Sequence, residues 1–326
     1  MSKRIVSGMR PTGRLHLGHY HGVLDNWVKL QEEYRCFFFA ADWHSLTTEY
    51  ADTSGIREST REMVLDWLAF GLDPDRCTIF EQSLVPHHSE LCLILGMITP
   101  VAWLERNPTY KEMQDNLEHK DLSTFGFLGY PVLMASDIII YKATRVPVGH
   151  DQLPHLEITR EIARRFNHLY GPVFPEPEAL LTETPKLLGL DGRKMSKSYG
   201  NSIYLSDTDD ETRKKIMSMV TDTQRVRRAD PGDPERCVAF NLHRLYVPQE
   251  KLDEIVPACK SAGIGCVECK KVLAEYVVDN LAPFRSRRDD LAADPDLVED
   301  VLSDGSRKAQ EESGSTLAEV REALKF

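Results

Sequence analysis

The chain has 326 residues, 41% of them hydrophobic and 28% charged, which is room for one large or two medium globular domains. Its 40 basic residues stand against 51 acidic ones, a net charge of −11. That balance argues against non-specific coating of nucleic acid and leaves a local basic surface for one RNA open. No segment approaches membrane-spanning length, and Met1-Ser2-Lys3-Arg4 leads straight into a strand rather than an apolar signal region. A cytoplasmic protein with no membrane partner is expected.

In chain order, Arg4-Ile5-Val6-Ser7 reads as a strand. Gly8, Pro11 and Gly13 then break regular structure. After Gly18, the residues Val23, Leu24, Trp27, Val28 and Leu30 recur at helical spacing. His16 and His19 therefore fall at a strand-to-helix turn, beside backbone N–H groups and the positive end of a helix, a place for phosphate. Gly18 has no Cβ to keep a nucleotide from the backbone. Further strands are expected at Cys36-Phe37-Phe38-Phe39-Ala40, Thr78-Ile79-Phe80 and Val146-Pro147-Val148, with helices over roughly 19–33, 55–70, 88–98 and 131–143. The alternation predicts an α/β fold with a doubly wound parallel sheet. Ligands of such sheets gather beyond the carboxyl ends of the strands.

Residues 170–190, with Pro172, Pro175, Pro177 and Pro185, read as a crossing linker. From about 205 onward the pattern is almost wholly helical. Basic groups occur there at Arg213-Lys214-Lys215, Arg225-Val226-Arg227-Arg228, Lys270-Lys271 and Arg285-Ser286-Arg287-Arg288. Each by itself fits the solvated face of a helix, and together they offer a surface for RNA.

Lys194-Met195-Ser196-Lys197-Ser198 lies among Gly189, Gly192 and Gly200. Two mobile ammonium groups suit a transition state in which negative charge builds on a leaving pyrophosphate. Alone, these lysines fit a solvated basic loop, and His16 and His19 fit two surface histidines. Together and in this order, the segment Pro11-Thr12-Gly13-Arg14-Leu15-His16-Leu17-Gly18-His19 and the lysine loop resemble the HIGH and KMSKS motifs of class I aminoacyl-tRNA synthetases. The resemblance implies a Rossmann-like catalytic domain over 1–198. It also implies an all-helical, anticodon-binding C-terminal domain over 199–326, with the last helix packing back on the catalytic domain. It makes His16, His19, Lys194 and Lys197 the catalytic groups. The implied nucleotide set is Arg10, Pro11, Thr12, Gly18, His19, Gly149, His150, Asp151, Leu187, Lys194, Met195, Ser196, Lys197 and Ser198. Mg²⁺ would share the phosphate charge of ATP.

On a helix, Tyr130, Met134, Asp137 and Tyr141 share one face. An acid amid Met, Ile and Tyr is costly to bury without a donor, and an indole N–H is such a donor. The alternative is a partly exposed Asp137 paired with Lys142 or Arg145. This segment, with Val146–Gln152 and Ala41–Thr47, resembles the bacterial tryptophanyl-tRNA synthetases, and the similarity covers essentially the whole chain. It implies that Asp137 accepts the indole N–H of L-tryptophan. Val6, His44, Tyr130, Met134, Ile138, Val146, Val148 and Gln152 would line the pocket. It further implies ATP and tRNA(Trp) as partners and a homodimer. Three positions depart from that family: Val6 where an aromatic ring is frequent, His150 where an acid is common, and Arg10 where glutamine is common.

Cys36, Cys77 and Cys92 lie in or beside apolar runs and fit buried thiols. Cys237, Cys259, Cys266 and Cys269 are spaced C-x21-C-x6-C-x2-C. Clustered cysteines in a cytoplasmic chain suggest metal. Zinc ribbons show two close pairs and this chain has one, so a [4Fe–4S] cluster fits the spacing better than Zn²⁺, with zinc and free thiols as the alternatives. The quartet resembles an iron–sulfur-containing subset of the same synthetases. A tyrosyl-tRNA synthetase is the nearest rival, but a phenol would need polar partners that Met134, Val146 and Val148 do not offer. A nucleotidyltransferase without an RNA partner would lack the KMSKS loop and basic helices, and a catalytically silent paralogue would not need both motifs intact.

Overall fold

A computed structural model of the chain describes residues 3–108, 122–181 and 187–326. Strand β1 (Arg4–Met9) opens the sheet, followed by β2 (Arg35–Ala40), β3 (Thr78–Glu81), β4 (Arg145–Val148) and β5 (Glu178–Leu181). They pair in the order β3-β2-β1-β4-β5, every pair parallel. The order steps outward in both directions from β1, which is the doubly wound arrangement expected from the alternation. Strands buried on both faces read as continuous apolar runs. Accordingly Cys36, Phe37, Phe38, Phe39 and Ala40 are all buried.

Between the strands run α1 (Leu17–Leu30, with a π-helical turn over Tyr20–Leu24), α2 (Asp42–Glu49), α3 (Ile56–Phe70), α4 (His87–Ile98), α5 (Val101–Glu105), α6 (Phe125–Ile139) and α7 (Leu153–Tyr170). The remainder is helical: α8 (Asp209–Ser218), α9 (Val238–Tyr246), α10 (Gln249–Lys260), α11 (Cys266–Ala292) and α12 (Leu297–Leu324). A capping box of Thr208 and Glu211 starts α8, satisfying N–H groups that the first turn leaves open.

The proline-rich stretch after α7 does not only link elements, since it carries β5 within it. β5 pairs with β4 alone, at the edge of the sheet. There the prolines flanking it at Pro175 and Pro177 remove no bond that a central strand would need. Pro185 lies outside the described residues.

The chain divides into two compact units. The first comprises Met1–Gly13, Asn26–Glu183 and Asp294–Phe326. It contains the sheet and, with it, the C-terminal helix α12. Gly305 of α12 lies so close to β3 that an added Cβ would stand 1.7 Å from the Ile79 carbonyl oxygen. Only glycine admits that approach, and it lets a helix cover the edge strand. The second unit comprises Arg14–Asp25 and Thr184–Ala293. It therefore joins the start of α1 to the lysine loop and to α8–α11.

Candidate active site

In the second unit the two signature segments are joined through the backbone. Leu17 N–H donates to Ile203 O at 3.1 Å, and Leu205 N–H donates to Leu15 O at 3.0 Å. His16 thereby forms an antiparallel bridge with Tyr204, just beyond the lysine loop. Asp207, 2% exposed, fixes this pairing. It accepts from Tyr204 N–H at 2.8 Å, Lys215 Nζ at 2.6 Å and Arg14 Nη2 at 3.2 Å.

The two histidines form their own helix start. Gly18 N–H donates to His16 Nδ1 and His16 N–H donates to His19 Nδ1, each at 3.1 Å. The rings lie 3.9 Å apart. A Cβ on Gly18 would stand 2.9 Å from the His16 ring, so the turn requires glycine. Burial pulls His16 down to about 4, and the charges of Lys197 and Lys194 add to it. His19 is lowered well below its usual value by burial, then by His16 and Lys197. Both rings are thus neutral at pH 7, able to offer N–H groups to phosphate without holding a proton that could be lost to it.

The lysine loop hangs on Asn201, which is 3% exposed. Its Oδ1 accepts from Ser196 N–H at 2.9 Å, and its Nδ2 donates to Asp191 Oδ1 at 2.7 Å and to Lys194 O at 3.2 Å. Asp191 is held at about 2, first by that Asn201 hydrogen bond. Met195 is buried, and its N–H donates to Leu187 O at 2.9 Å. Lys194 lies on the exposed side of the loop, and the Ser196 and Ser198 hydroxyls meet at 2.9 Å.

The first unit holds the other expected group. Asp137 is 1% exposed, so it is not the surface residue of the alternative reading. Three side chains donate to it: His44 Nε2 to Oδ2 at 2.8 Å, His88 Nδ1 to Oδ1 at 2.6 Å, and Gln82 Nε2 to the two oxygens at 2.8 and 3.0 Å. Burial alone would raise this carboxyl. The hydrogen bonds from His44 and His88 outweigh it and bring Asp137 to about 2. Around it Val6, Ile138, Val146 and Val148 belong to one buried apolar cluster, with Met134 packed against that cluster. Val6 is 1% exposed, a core residue of β1 where a stacking ring was the family expectation.

Tyr130 and Gln152 are tied together through His155, which sequence reasoning missed. The Tyr130 hydroxyl meets His155 Nε2 at 2.5 Å, and His155 Nδ1 meets Gln152 Oε1 at 3.0 Å. Burial drives His155 down to about 4 and Tyr130 up to about 12. Arg10, at the end of β1, donates to Thr48 Oγ1 at 3.4 Å. Desolvation lowers its pKa, while Glu49 and Tyr130 oppose that shift. Pro11, Thr12, Gly149, His150 and Asp151 lie with Arg10 in the first unit, whereas His16, Gly18, His19, Leu187 and Lys194 to Ser198 lie in the second.

The missed residues had one usable signal. Gln82 directly follows β3, at the carboxyl end of a strand, where doubly wound sheets place ligand groups. His88, His155, Asn201 and Asp207 carry no pattern of their own.

The four clustered cysteines also lie in the second unit. Burial, then the charges of Cys237, Cys259 and Cys266, push the Cys269 thiol up to about 12, so the four thiols share one neighbourhood. Cys269 Sγ lies 3.3 Å from His243 Nε2, and Arg225 Nη1 donates to Cys266 Sγ at 3.8 Å. Among the described residues no three His, Cys, Asp or Glu side chains stand close enough to hold a single metal ion.

Comparison with known proteins shows the family. A profile for class I tRNA synthetases (W and Y) matches residues 2–282. The chain is 54% identical to a tryptophan–tRNA ligase of Thermotoga maritima, covering 98% of each, and 48% identical to that of Aquifex aeolicus, covering 98% of this chain and 99% of the relative. The crystal structure of tryptophanyl-tRNA synthetase from Campylobacter jejuni, in complex with ADP and tryptophan, superposes with a TM-score of 0.90 at 32% identity. It covers 99% of this chain and 100% of that one. A tyrosyl-tRNA synthetase from Archaeoglobus fulgidus shares the fold at 23% identity and a TM-score of 0.67. With its backbone-paired motifs, its buried Asp137 and this full-length identity, the chain belongs to the class I bacterial tryptophanyl-tRNA synthetases.

Proposed function

We propose that this protein is a tryptophan–tRNA ligase. It activates tryptophan with ATP and then esterifies the 3′ end of tRNA(Trp). The observation that carries the substrate is the buried Asp137 carboxylate among apolar side chains. That environment suits an indole, which has one N–H to satisfy and an otherwise apolar body.

In the first step a carboxylate oxygen of tryptophan forms a bond to the α-phosphorus. The bond from that phosphorus to the bridging oxygen breaks, and pyrophosphate leaves with the electron pair. No covalent nucleophile is needed from the protein, which supplies position and charge. His16, Gly18 and His19 serve the adenosine and α-phosphate, with Arg10, Pro11, Thr12, Leu187 and Gly149 to Asp151 completing the nucleotide contacts. Lys194 and Lys197 follow the β- and γ-phosphates, on a loop whose Met195, Ser196 and Ser198 hold its shape. Mg²⁺ shares the phosphate charge, held chiefly by ATP itself, as this ion ordinarily is. Asp137 accepts the indole N–H, Tyr130 and Gln152 take the amino group, and Val6, His44, Met134, Ile138, Val146 and Val148 line the ring. In the second step the terminal ribose hydroxyl attacks the tryptophanyl carbonyl and AMP leaves. Pyrophosphate exchange with each of the twenty amino acids tests the assignment. Exchange with tryptophan alone supports it, and exchange with tyrosine defeats it.

The helical segment after residue 198 is proposed to bind the anticodon, in the cytoplasm where ATP and tRNA meet. Among the described residues no helix is long and apolar enough to cross a membrane. Several of the basic side chains there are already engaged: Arg213 with Glu275, Lys215 with Asp207, Arg225 and Arg228 with backbone carbonyls, and Lys270 with Met219 O. Leu93 and Met97, one turn apart on α4, are 62% and 75% exposed, Val101 at the start of α5 is 56% exposed, and Phe125 is 90% exposed. Exposed apolar side chains of this kind support a homodimer that covers them. Met97→Glu should then yield monomers in light scattering.

Cys237, Cys259, Cys266 and Cys269 are proposed to hold a [4Fe–4S] cluster with a structural role. What supports this is that Cys237, Cys259 and Cys266 lie close enough to Cys269 for their charges to bear on its thiol. Anaerobically purified protein should be coloured in the visible. A colourless, zinc-containing sample would reject the cluster in favour of zinc.

A further inference from the structure

A carboxylate offers about four acceptor positions. His44, His88 and Gln82 make four contacts on Asp137, two on each oxygen, with the Gln82 amide nitrogen shared between both. The donors therefore decide which contact can yield to a further N–H and where that position points. His44 keeps some exposure, whereas Gln82 and His88 are 0% exposed.

His88 is the most constrained of the three. Its Nδ1 faces Asp137 at 2.6 Å, and its Nε2 faces the Tyr141 hydroxyl at 2.7 Å. Phe39 and Phe80 pack against the ring, with centroids 6.1 and 5.9 Å away. The Tyr141 hydroxyl is in turn hydrogen-bonded by Ser313 of α12, and Ser313 Oγ meets His87 Nδ1 at 2.8 Å. Both polar atoms of the His88 ring are thus occupied and its plane is fixed by aromatic neighbours, so it cannot turn to follow a misplaced carboxylate. Ser136 Oγ donates to the His88 carbonyl at 3.2 Å, tying the backbone of α4 to the helix that carries Asp137.

We propose that His88, backed by Tyr141 and Ser313, is a positioning residue that fixes the Asp137 carboxylate so that one oxygen lone pair faces the substrate N–H. It acts through Asp137 and touches no substrate itself. This rests on the reading that Asp137 accepts the indole N–H. Selectivity for tryptophan then depends on a chain of side chains that runs from the substrate to the C-terminal helix.

The test compares activation of tryptophan with activation of β-(benzothiophen-3-yl)alanine, in which sulfur replaces the N–H, by pyrophosphate exchange. The readout is the preference, the ratio of the two kcat/KM values. Asp137→Ala should abolish most of the preference. If it lowers both substrates alike, the reading of Asp137 fails and the inference with it. With that arm in place, His88→Leu should reduce the preference roughly ten- to a hundredfold, the range of one hydrogen bond to a charged group. The loss should fall on KM for tryptophan rather than on kcat. His88→Asn, whose amide nitrogen reaches the place of Nδ1, should restore most of the preference. Tyr141→Phe removes a single oxygen and should lower the preference several-fold, and it decides the matter if His88→Leu does not fold. An unchanged preference in these variants, or equal losses on both substrates, would overturn the proposal.

Discussion

The residues proposed for phosphate and those proposed for tryptophan are held by different physics. In the second unit the signature segments are positioned by backbone: a bridge from His16 to Tyr204, a helix start capped by its own histidines, and a loop folded around Asn201. The lysines ride on that frame, Lys194 on its exposed side. In the first unit Asp137 is held by side chains, of which His88 is itself buried and hydrogen-bonded at both ring nitrogens. Phosphate charge is large and its position changes during the reaction, so mobile cations on a firm backbone suit it. An indole N–H is a weak, neutral, directional donor. It is recognised only if its acceptor cannot move and cannot find water.

The largest expected effect strikes the rigid side. Asp137→Ala leaves the buried Gln82 and His88 donors and the half-buried His44 unpaired as well as the substrate, and should lower kcat/KM for tryptophan by about a hundredfold or more, with KM for ATP little changed. Titrating both substrates in pyrophosphate exchange checks this, and a comparable rise in KM for ATP would erase the contrast between the two regions. Next comes Lys197→Ala, which should lower the activation rate by a factor of tens while calorimetric tryptophan affinity holds. Weakened tryptophan binding would show that the lysine loop is not confined to the phosphates.

Asn201→Ala sharpens the comparison, because it touches no substrate yet removes three hydrogen bonds from the loop. Activation should fall by about tenfold, less than for Lys197→Ala. Equal activity in pre-steady-state measurements would mean that Met195 alone holds the loop.

The smallest effect is on acid stability, and both regions share it. His16 and His155 titrate near 4 when folded against 6.5 as ordinary side chains. Between those values the unfolded chain binds more protons than the folded one, so stability rises with pH and is lost as pH falls from 6.5 towards 4. Melting temperatures should decline as pH falls from about 6.5 towards about 4, and His155→Gln should flatten the decline. Asp137, near 2 when folded against 3.8, adds stability above 3.8 that disappears only as pH falls through 2.

What could be read along the chain were features with local causes. β1 to β4 are apolar runs, the HLGH turn is marked by Gly18, and Asp137 stands out as an acid on an apolar helical face. β5 escaped because edge strands tolerate the prolines that usually exclude a strand. Gln82, His88, His155, Asn201 and Asp207 escaped because each matters through a partner remote in sequence, and a lone polar residue looks the same whether it is solvated or buried.

The residues by themselves determined which chemistry to look for: imidazoles and lysines suited to phosphate, one acid on an apolar helical face, and four clustered thiols. The tertiary structure alone decided how firmly each is held. Burial excludes water, and a polar group without water takes whatever partner the fold brings, so His88, Tyr141 and Ser313 support Asp137 only because α4, α6 and α12 are packed together.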